Sequence, residues 1–216
     1  MFLSFEGIEG SGKGTVLRSV CERLSERGVP FLSTREPGGS DLGAPLRALL
    51  LDARQTIVPK AELFLYLADR AQHVAQVIRP ALERGRLVLS DRYADSTIVY
   101  QGFGRGLDVE ELFRLNETAV DGLWPDITFV LDVDPEVGLE RARRRNAELG
   151  LSVSEGRFEA EAMEFHRTIR QGYLDWAARH PGRFRIINGG LPPQAVFHDV
   201  WSILSTRFPE LSIKAR

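Results

Sequence analysis

The chain has 216 residues, of which 43% are hydrophobic, and its formal net charge at pH 7 is −2. This length is enough for one domain with a proper core, and the near-neutral charge argues against a protein that coats nucleic acid or a membrane surface. The single cysteine, Cys21, excludes an internal disulfide and a cysteine-based zinc site. Because Glu6 and Glu9 interrupt the first apolar run and no apolar segment reaches spanning length, we expect a cytoplasmic protein without a signal peptide.

Strands and helices are predicted to alternate along the chain. The predicted strands are Phe2–Phe5, Pro30–Ser33, Arg86–Ser90, Ile127–Val133 and Arg185–Ile187. The predicted helices are a segment ending near Gly28, then Leu46–Leu51, Ala61–Arg84, Val109–Val120, Glu136–Arg145, Phe158–Arg179 and Gln194–Leu204. Pro80 lies inside the third of these helices, where we expect a kink or a division. This order is typical of one α/β domain over residues 1–216, with a parallel sheet covered by helices on both faces.

The first strand runs into a glycine-rich loop, Gly-Ile-Glu-Gly-Ser-Gly-Lys-Gly-Thr, that opens a helix. In such a P-loop the loop N–H groups, the helix N-terminus and the lysine surround a polyphosphate. The alternative is a glycine-rich turn with a surface lysine. The predicted phosphate-binding residues are Gly7, Gly10, Ser11, Gly12, Lys13, Gly14 and Thr15. The residue after the lysine is usually Ser or Thr, which helps to hold Mg²⁺, but here it is Gly14, and Thr15 carries the first hydroxyl.

Two further motifs follow predicted strands, at the edge where parallel sheets bind ligands. A Thr-Arg-Glu-Pro-Gly-Gly turn at residues 34–39 presents Arg35 and Glu36 to a cleft, unless it is only a turn with a chance ion pair. In the Asp-Arg-Tyr sequence at residues 91–93, Asp91 can face a metal ion and Arg92 a phosphate. The alternative for this second motif is a helix N-cap with a structural salt bridge.

Taken together, these motifs resemble the thymidylate kinases, enzymes that phosphorylate dTMP with ATP. Four blocks carry the resemblance: Phe5-Glu6-Gly7 with Gly12-Lys13; Thr34–Gly39; Asp91-Arg92-Tyr93 with Ser96 and Tyr100-Gln101-Gly102; and Leu131-Asp132-Val133 with Pro135-Glu136, Leu139 and Arg141. They cover most of the first 145 residues, whereas the last third matches weakly. The resemblance implies a P-loop, nucleoside-monophosphate-kinase-like α/β fold of three layers, with a five-stranded parallel sheet and a small lid.

The same resemblance implies residues that hold the phosphate and the sugar of dTMP. Arg35 and Arg92 match the family's phosphate-binding arginines, and Glu9 lies where the family has a carboxylate near the 3′-hydroxyl. The other residues implied here are Glu36, Arg47, Ser96, Thr97 and Tyr100. Asp91 is the implied metal-side carboxylate, with Thr15 as a second candidate ligand, through water.

Three more residues match the family's base-binding positions. Arg70 and Gln101 match the groups that read the thymine edge, which offers carbonyl oxygens and an imide N–H. Tyr66 occupies the position at which the family usually stacks a Phe on thymine. The alternative for Tyr66 is an ordinary aromatic residue of the helix core.

The lid is expected at about residues 141–157. One class of the family has an arginine inside the P-loop and the other supplies it from the lid; this chain has Gly10 at the P-loop position, so the resemblance implies a lid arginine. Arg145 is the first candidate, with Arg141 and Arg143 as the others, against the alternative of a solvated basic helix face. Bacterial lids often read Asp-Arg-x-Glu, and here the aspartate is replaced in Gly-Arg-Phe-Glu at residues 156–159.

The resemblance therefore implies phosphorylation of dTMP to dTDP, with ATP and Mg²⁺, by a homodimer that has no nucleic-acid or membrane partner. One rival is a kinase for another nucleoside monophosphate, such as dUMP, GMP or AMP. Another is a switch or binding protein that uses the P-loop only to sense a nucleotide, although the chain has no Asn-Lys-x-Asp sequence to read guanine. A third is a catalytically impaired family member, given Gly14 and Gly156.

Overall fold

The computed structural model describes residues 1–151, 154 and 156–212. Its centre is a sheet of five strands in the order β2-β3-β1-β4-β5, in which every neighbouring pair is parallel. The strands are β1 (Phe2–Glu6), β2 (Phe31–Arg35), β3 (Leu87–Asp91), β4 (Ile127–Asp132) and β5 (Phe184–Asn188). The predicted five-stranded parallel sheet is therefore confirmed.

The helices connect the strands and cover both faces of the sheet. They are α1 (Lys13–Glu26), α2 (Gly43–Leu51), α3 (Pro59–His73), α4 (Arg79–Glu83), α5 (Ala94–Thr97), α6 (Val109–Val120), α7 (Pro135–Glu148), α8 (Met163–Arg179) and α9 (Pro193–Arg207). A π-helical segment, Val74–Ile78, joins α3 to α4, a second one, Ile98–Gly104, extends α5, and a 3₁₀ turn follows at Pro209–Ser212. Within the described ranges, none of these helices combines the length and the apolar character needed to cross a bilayer.

Two predicted helices differ from the structure. The helix predicted over Ala61–Arg84 is divided by the π-helical turn just before Pro80, because proline has no N–H to donate and its ring crowds the preceding turn. The helix predicted over Phe158–Arg179 begins only at Met163. Instead of continuing that helix, Phe158 is 5% exposed and packs in the core beside the cleft, so its apolar side chain belongs to a turn.

Alternation along the strands divides the core between the two faces of the sheet. On one face, Leu3 and Phe5 pack with the apolar stripe of α1, which Val16, Val20 and Leu24 form at helical spacing. On the other face, α8 and the Ile98–Gly104 segment cover the sheet, with Tyr173 and Trp176 among the buried side chains. Each fully buried apolar side chain of this size stabilises the fold by about 1.5–3 kcal/mol.

The parallel register brings three motif loops to one edge of the sheet. Asp91, the last residue of β3, is in register with Phe5 of β1 on one side and with Arg35 of β2 on the other. Beyond the strand ends, the N–H of Glu36 donates to the Asp91 carbonyl at 2.9 Å and that of Arg92 donates to the Phe5 carbonyl at 3.0 Å. The sheet pattern thus continues into the loops and holds them beside one another.

Candidate active site

The loop between β1 and α1 delivers the N-terminus of α1 to the sheet edge. Gly12 caps the helix with φ +97°, and the first turn, which starts at Lys13, contains no acidic residue. A helix N-terminus of this kind favours an anion, because its first N–H groups lack partners within the helix. This loop lines a pocket, here named the loop pocket, whose walls are Gly10, Ser11, Gly12, Lys13, Gly14, Thr15, Val16, Arg18, Asp91, Arg141, Arg144, Arg145, Gly189, Leu191, Pro193 and Val196.

Lys13 lies folded back on its own loop. Its Nζ donates to the carbonyls of Gly7 at 2.9 Å and Ile8 at 2.8 Å, and to Ser11 Oγ at 3.3 Å. Burial, and next the positive charge of Arg92, lower the pKa of Lys13 to about 8, which leaves a cation at pH 7. A bound polyphosphate would exchange loop carbonyls for phosphate oxygens around this ammonium group.

Gly10 is in direct backbone contact with α7. It has φ +67°, and a Cβ built on it would collide with the carbonyl oxygen of Gly138. A Cβ on Gly138 would in turn lie 2.7 Å from the carbonyl oxygen of Glu9. Position 10 therefore has no room for an arginine, and the positive charge beside the loop comes instead from α7.

The α7 arginines differ in where they lie. Arg141 lines the loop pocket and donates to the Gly189 carbonyl at 3.2 Å. Arg143 donates to the Glu159 carbonyl at 3.1 Å and is not among the residues that line the loop pocket or the cleft pocket described below. Arg145 lines both pockets; its side chain is 54% exposed and is bonded to Asn146 Oδ1 through Nε at 3.1 Å and NH2 at 2.9 Å. Arg18 and Arg144 also line the loop pocket and were not predicted.

A second pocket, here named the cleft pocket, adjoins the loop pocket. It brings together every residue that the family resemblance implies for dTMP: Glu9, Arg35, Glu36, Arg47, Tyr66, Arg70, Arg92, Ser96, Thr97, Tyr100 and Gln101. Gly10, Lys13, Asp91 and Arg145 line both pockets. The two pockets therefore share a wall that contains a lysine, a carboxylate and an arginine.

Arg92 supplies a fixed positive charge at the inner end of the cleft pocket. Its φ of +70° is unusual for a residue with a side chain, and Ser90 Oγ donates to its carbonyl at 2.6 Å. Its NH2 donates to Glu9 Oε1 at 2.8 Å and to Tyr100 OH at 3.0 Å. Its NH1 lies 3.2 Å from Tyr173 OH. The guanidinium is held on several sides before any ligand binds.

Glu9 is the partner carboxylate of Arg92. Tyr100 OH donates to its Oε1 at 2.7 Å, and His166 Nδ1 lies 3.7 Å from its Oε2. Burial alone would raise the pKa of Glu9, but Arg92, the neighbouring His166 and Lys13 together lower it to about 2. A carboxylate acceptor thus stays ionised beside the arginine across the neutral pH range.

Glu6 is a second buried carboxylate, which the sequence placed in a motif but not in the site. Its Oε1 accepts from the Tyr93 N–H at 2.7 Å, and its Oε2 accepts from Ser96 Oγ at 2.6 Å and Tyr173 OH at 2.8 Å. Burial, and next the negative charge of Asp95, raise the pKa of Glu6 to about 7. Through these contacts with Tyr93 and Ser96, Glu6 holds the backbone segment that follows Arg92.

Arg70 and Glu36 form a buried pair at the far end of the cleft pocket. Arg70 is 1% exposed, and its Nε donates to Glu36 Oε2 at 2.8 Å. Glu36 Oε1 lies 2.9 Å from His73 Nδ1, and His73 Nε2 lies 2.7 Å from Thr34 Oγ1. Glu36 therefore orients Arg70, and this chain of contacts ties the 34–39 turn to α3.

The remaining predicted residues also lie on the cleft pocket walls. Burial raises the pKa of Tyr66 above its ordinary range, with the negative charge of Glu62 as the next cause. Gln101 donates from Nε2 to Glu62 Oε1 at 2.7 Å. Arg35 is exposed at the end of β2, whereas Arg47 NH1 donates to the Pro37 carbonyl at 3.1 Å.

The candidate metal ligands fit a Mg²⁺ ion held mainly by phosphate and water. Asp91 lines both pockets, and Thr15 is exposed in the loop pocket. A Cβ on Gly14 would lie 3.9 Å from Asp91 Oδ2, so the usual hydroxyl of this position would stand beside that carboxylate. The described residues contain no group of three or more His, Cys, Asp or Glu that could hold a metal. Mg²⁺ does not need one, because it keeps several waters and takes few protein ligands.

Comparison with known proteins agrees with this geometry. A sequence model of the family described as thymidylate kinase matches residues 5–200. The chain belongs to the thymidylate kinase family. The family resemblance and the kinase-like fold predicted from four sequence blocks are thereby confirmed, and the match extends past the region in which those blocks lie.

Individual members of the family cover nearly the whole chain. The thymidylate kinase of Nitratidesulfovibrio vulgaris strain Miyazaki F is 63% identical over 201 residues, which is 93% of this chain and 94% of that protein. That of Gloeobacter violaceus is 48% identical over 202 residues, covering 94% and 93%. The crystal structure of thymidylate kinase from Ehrlichia chaffeensis superposes with a TM-score of 0.75 at 36% identity, over 94% of this chain and 98% of that chain.

The close contact at Gly10 makes a specific stability prediction. We expect Gly10→Ala to lower the free energy of unfolding by about 3 kcal/mol or more, since it adds the collision with Gly138 to the strain of a left-handed residue. Gly85→Ala is the matched control, because Gly85 has φ +72° with nothing within 4 Å of its Cβ position, and it should cost only about 1–2 kcal/mol. Urea unfolding of both variants measures the difference, and equal losses would contradict the proposed collision.

The raised pKa of Glu6 predicts how the stability of the fold depends on pH. The folded protein keeps a proton on Glu6 up to about pH 7, whereas the unfolded chain loses it near the ordinary value of 4.5. The contribution of Glu6 to stability therefore decreases as pH rises from 4.5 to 7, with a slope of at most about 1.4 kcal/mol per pH unit. Glu6→Gln should remove this slope, so the free energy of unfolding of the wild type should rise relative to that of the variant as pH falls. A stability difference that is constant between pH 5 and 8, measured by urea unfolding, would contradict it.

Proposed function

We propose that the protein transfers the γ-phosphoryl group of ATP to dTMP and releases dTDP and ADP. The observation that carries the proposal is the pair of adjoining pockets, which share Gly10, Lys13, Asp91 and Arg145. A kinase needs a polyphosphate cradle and a second anion site in line with it, and it gains most of its rate from positioning and charge neutralisation. Membership of the thymidylate kinase family supports the same reaction.

In this proposal the loop pocket holds ATP. The predicted residues from Gly7 to Thr15 surround the phosphates, and Lys13 leaves the loop carbonyls to contact the outer phosphates. Asp91, and Thr15 through water, would hold Mg²⁺, which supplies charge neutralisation on the phosphates when it is bound. A phosphate oxygen of dTMP forms the new bond to the γ-phosphorus as the bond from that phosphorus to the β–γ bridging oxygen breaks.

The cleft pocket holds dTMP in the proposal. Arg92 and Arg35 bind its phosphate, and Glu9 accepts the 3′-hydroxyl of its sugar. Tyr66 stacks on the base, while Arg70 and Gln101 meet its edge. The residues that complete these walls are Glu36, Arg47, Ser96, Thr97 and Tyr100. Because Arg92, Glu9 and Tyr100 are already bonded to one another, the phosphate and the sugar meet a site with little left to reorganise.

The proposed lid covers about residues 141–157, of which 152, 153 and 155 lie outside the described residues. Residues 141–148 are the last turns of α7, so a lid arginine there is carried on a helix rather than on a loop. Arg145 is our candidate for stabilising the transferring phosphoryl group, since it lines both pockets and half of its side chain is exposed. Arg141 and Arg143 are the alternative candidates.

Two rival functions make weaker use of the site. A nucleotide switch would need the loop pocket but not the arginines and buried polar groups of the cleft pocket. A kinase for AMP would bind adenine, whose edge lacks the imide N–H and the carbonyl oxygen that could bond to Gln101 and Arg70.

Alongside the activity we propose a cytoplasmic location and a homodimer. Exposed apolar side chains such as Val58 (66%) and Phe64 (59%) at α3 support a contact between copies.

An acceptor panel tests the proposed activity. With ATP and Mg²⁺, we expect the protein to phosphorylate dTMP with a higher kcat/KM than dUMP, GMP or AMP, measured by ADP release in a coupled assay. AMP is mismatched at its base edge, which lacks the imide N–H and the carbonyl oxygen of thymine. Binding of ATP without transfer to any monophosphate would favour a nucleotide switch, and a preference for another acceptor would favour a different kinase.

The α7 arginines provide a second test. Arg145→Ala should lower kcat by about a hundredfold or more, because it removes a charge placed where the phosphoryl group transfers, while the KM for dTMP changes only a few-fold. Arg143→Ala is the matched comparison, since Arg143 is bonded to the Glu159 carbonyl and should change kcat much less. Circular dichroism melting checks that both variants fold. A large loss in Arg143→Ala with little in Arg145→Ala would move the catalytic role to Arg143.

A further inference from the structure

Glu62 is a fully buried carboxylate behind the base end of the cleft pocket. It lies on α3 and is 0% exposed, and no sequence motif singled it out. Gln101 donates to its Oε1 at 2.7 Å, and an Arg157 nitrogen lies 2.6 Å from its Oε2. Arg105 Nε lies 3.4 Å from Oε1. One carboxylate therefore holds three side chains, two from the segment of residues 98–105 and one from residue 157.

The contact with Glu62 fixes which way the Gln101 amide faces. An ionised carboxylate can only accept hydrogen bonds, so the group that Gln101 turns to Glu62 is its NH2. The amide is planar, and its carbonyl oxygen is then the group left for a ligand in the cleft pocket. A base that meets this oxygen must offer a donor, as the N3–H of thymine or uracil does and the N3 of cytosine does not.

Whereas Gln101 requires a hydrogen-bond donor on the base, Arg70 of the same pocket requires an acceptor. Four of its N–H groups are used by the protein, since Nε donates to Glu36, NH1 to Thr97 and Asn116, and NH2 to the Tyr93 carbonyl. One N–H remains on a guanidinium that always donates. The base edge must therefore place an acceptor beside its donor, which matches a 4-carbonyl and excludes a 4-amino group.

Glu62 also holds the segment of residues 157–161 against the cleft pocket. Arg157 donates from its backbone N–H to the Leu51 carbonyl at 3.2 Å and from Nε to the Leu50 carbonyl. Arg105 bridges Glu62 to Glu161, with NH1 2.7 Å from Glu161 Oε1. Phe158 and Glu159 of this segment line the pocket, so the contact with Glu62 places part of its wall.

We propose that Glu62 is a positioning residue for acceptor specificity, which selects an imide-edged pyrimidine by holding Gln101 in one orientation and also secures the 157–161 segment. The proposal rests on the proposed function for the identity of the acceptor. Glu62 touches no substrate and acts through Gln101 and Arg157. Loss of its charge therefore has two separable effects, one on base choice and one on the exclusion of water from the pocket.

The variant Glu62→Gln tests whether Glu62 determines the orientation of the Gln101 amide. The carbonyl of the new amide turns to the cationic Arg157, which leaves its NH2 facing Gln101, and the Gln101 amide inverts in response. An inverted Gln101 presents NH2 to the base. We expect the ratio of kcat/KM for dTMP over dCMP to fall by about tenfold or more, with the dTMP value falling and the dCMP value rising.

Arg157→Gln is the matched control, because it removes the tie to the 157–161 segment and leaves Glu62 facing Gln101. It should keep the dTMP-to-dCMP ratio within about threefold of wild type, while ATP hydrolysis without acceptor increases in both variants. The ratio of dissociation constants for dTMP and dCMP, from calorimetry, gives the same comparison without turnover. The double variant Glu62→Gln/Arg157→Gln leaves no unpaired buried charge, so it should fold even where the single Glu62 variant does not. Without Arg157 the amide at position 62 can turn either end to Gln101, so Gln101 is no longer held in one orientation and the ratio should still fall, by a smaller factor than in the single variant.

A folded Glu62→Gln or double variant that keeps the wild-type ratio would overturn the proposal, as would an equal fall in Arg157→Gln. The wild-type assay separates this result from the proposed function. If the wild type fails to phosphorylate dTMP, the proposed function is wrong, and the binding ratio then decides about Glu62. A lowered binding ratio in Glu62→Gln alone supports the role of Glu62, and an unchanged ratio removes it.

Discussion

The backbone contact between Gly10 and Gly138 determines how the rest of the site is assembled. Neither residue has room for a side chain, so the P-loop and α7 approach until main chain meets main chain. That approach brings the arginines of α7 over the loop, and Arg145 reaches the junction of the two pockets. The positive charge that α7 adds beside the loop is thus carried by a helix whose position depends on the loop, and the same contact leaves no room for an arginine within the loop.

The cleft depends on buried and partly buried arginines that each have a carboxylate partner. Arg92 is paired with Glu9, Arg70 with Glu36, and Arg157 with Glu62. An unpaired charge at any of these positions would be destabilising, because a buried ion loses its hydration without compensation. Pairing also orients each guanidinium before a substrate arrives, which lowers the reorganisation needed during reaction. The same contacts therefore serve the stability of the fold and the precision of the site.

Sequence reasoning found the parts of this protein that local pattern determines. The strands, the P-loop and the two motif turns are short segments with their own signals, and they were located well. The helical segment Ala94–Gly104 had no apolar periodicity, because most of its residues are buried whichever face they lie on. Glu62 was missed since its partners Gln101 and Arg157 lie far along the chain, and only the fold brings them together. Arg18 and Arg144 were missed because one arginine of a basic helix face looks like another.

Gly14 has a structural consequence for the metal side of the loop. A hydroxyl at this position would stand beside Asp91, and its absence leaves that carboxylate facing the loop pocket from the end of β3. Mg²⁺ is strongly hydrated and is readily bound through its waters, so a carboxylate and the phosphates can hold it without a direct ligand from the loop. The register of β3 with β1 fixes where Asp91 lies. With Asp91 as its proposed ligand, the metal would be positioned by the sheet rather than by the first turn of α1, which explains how the site could work with a glycine at position 14.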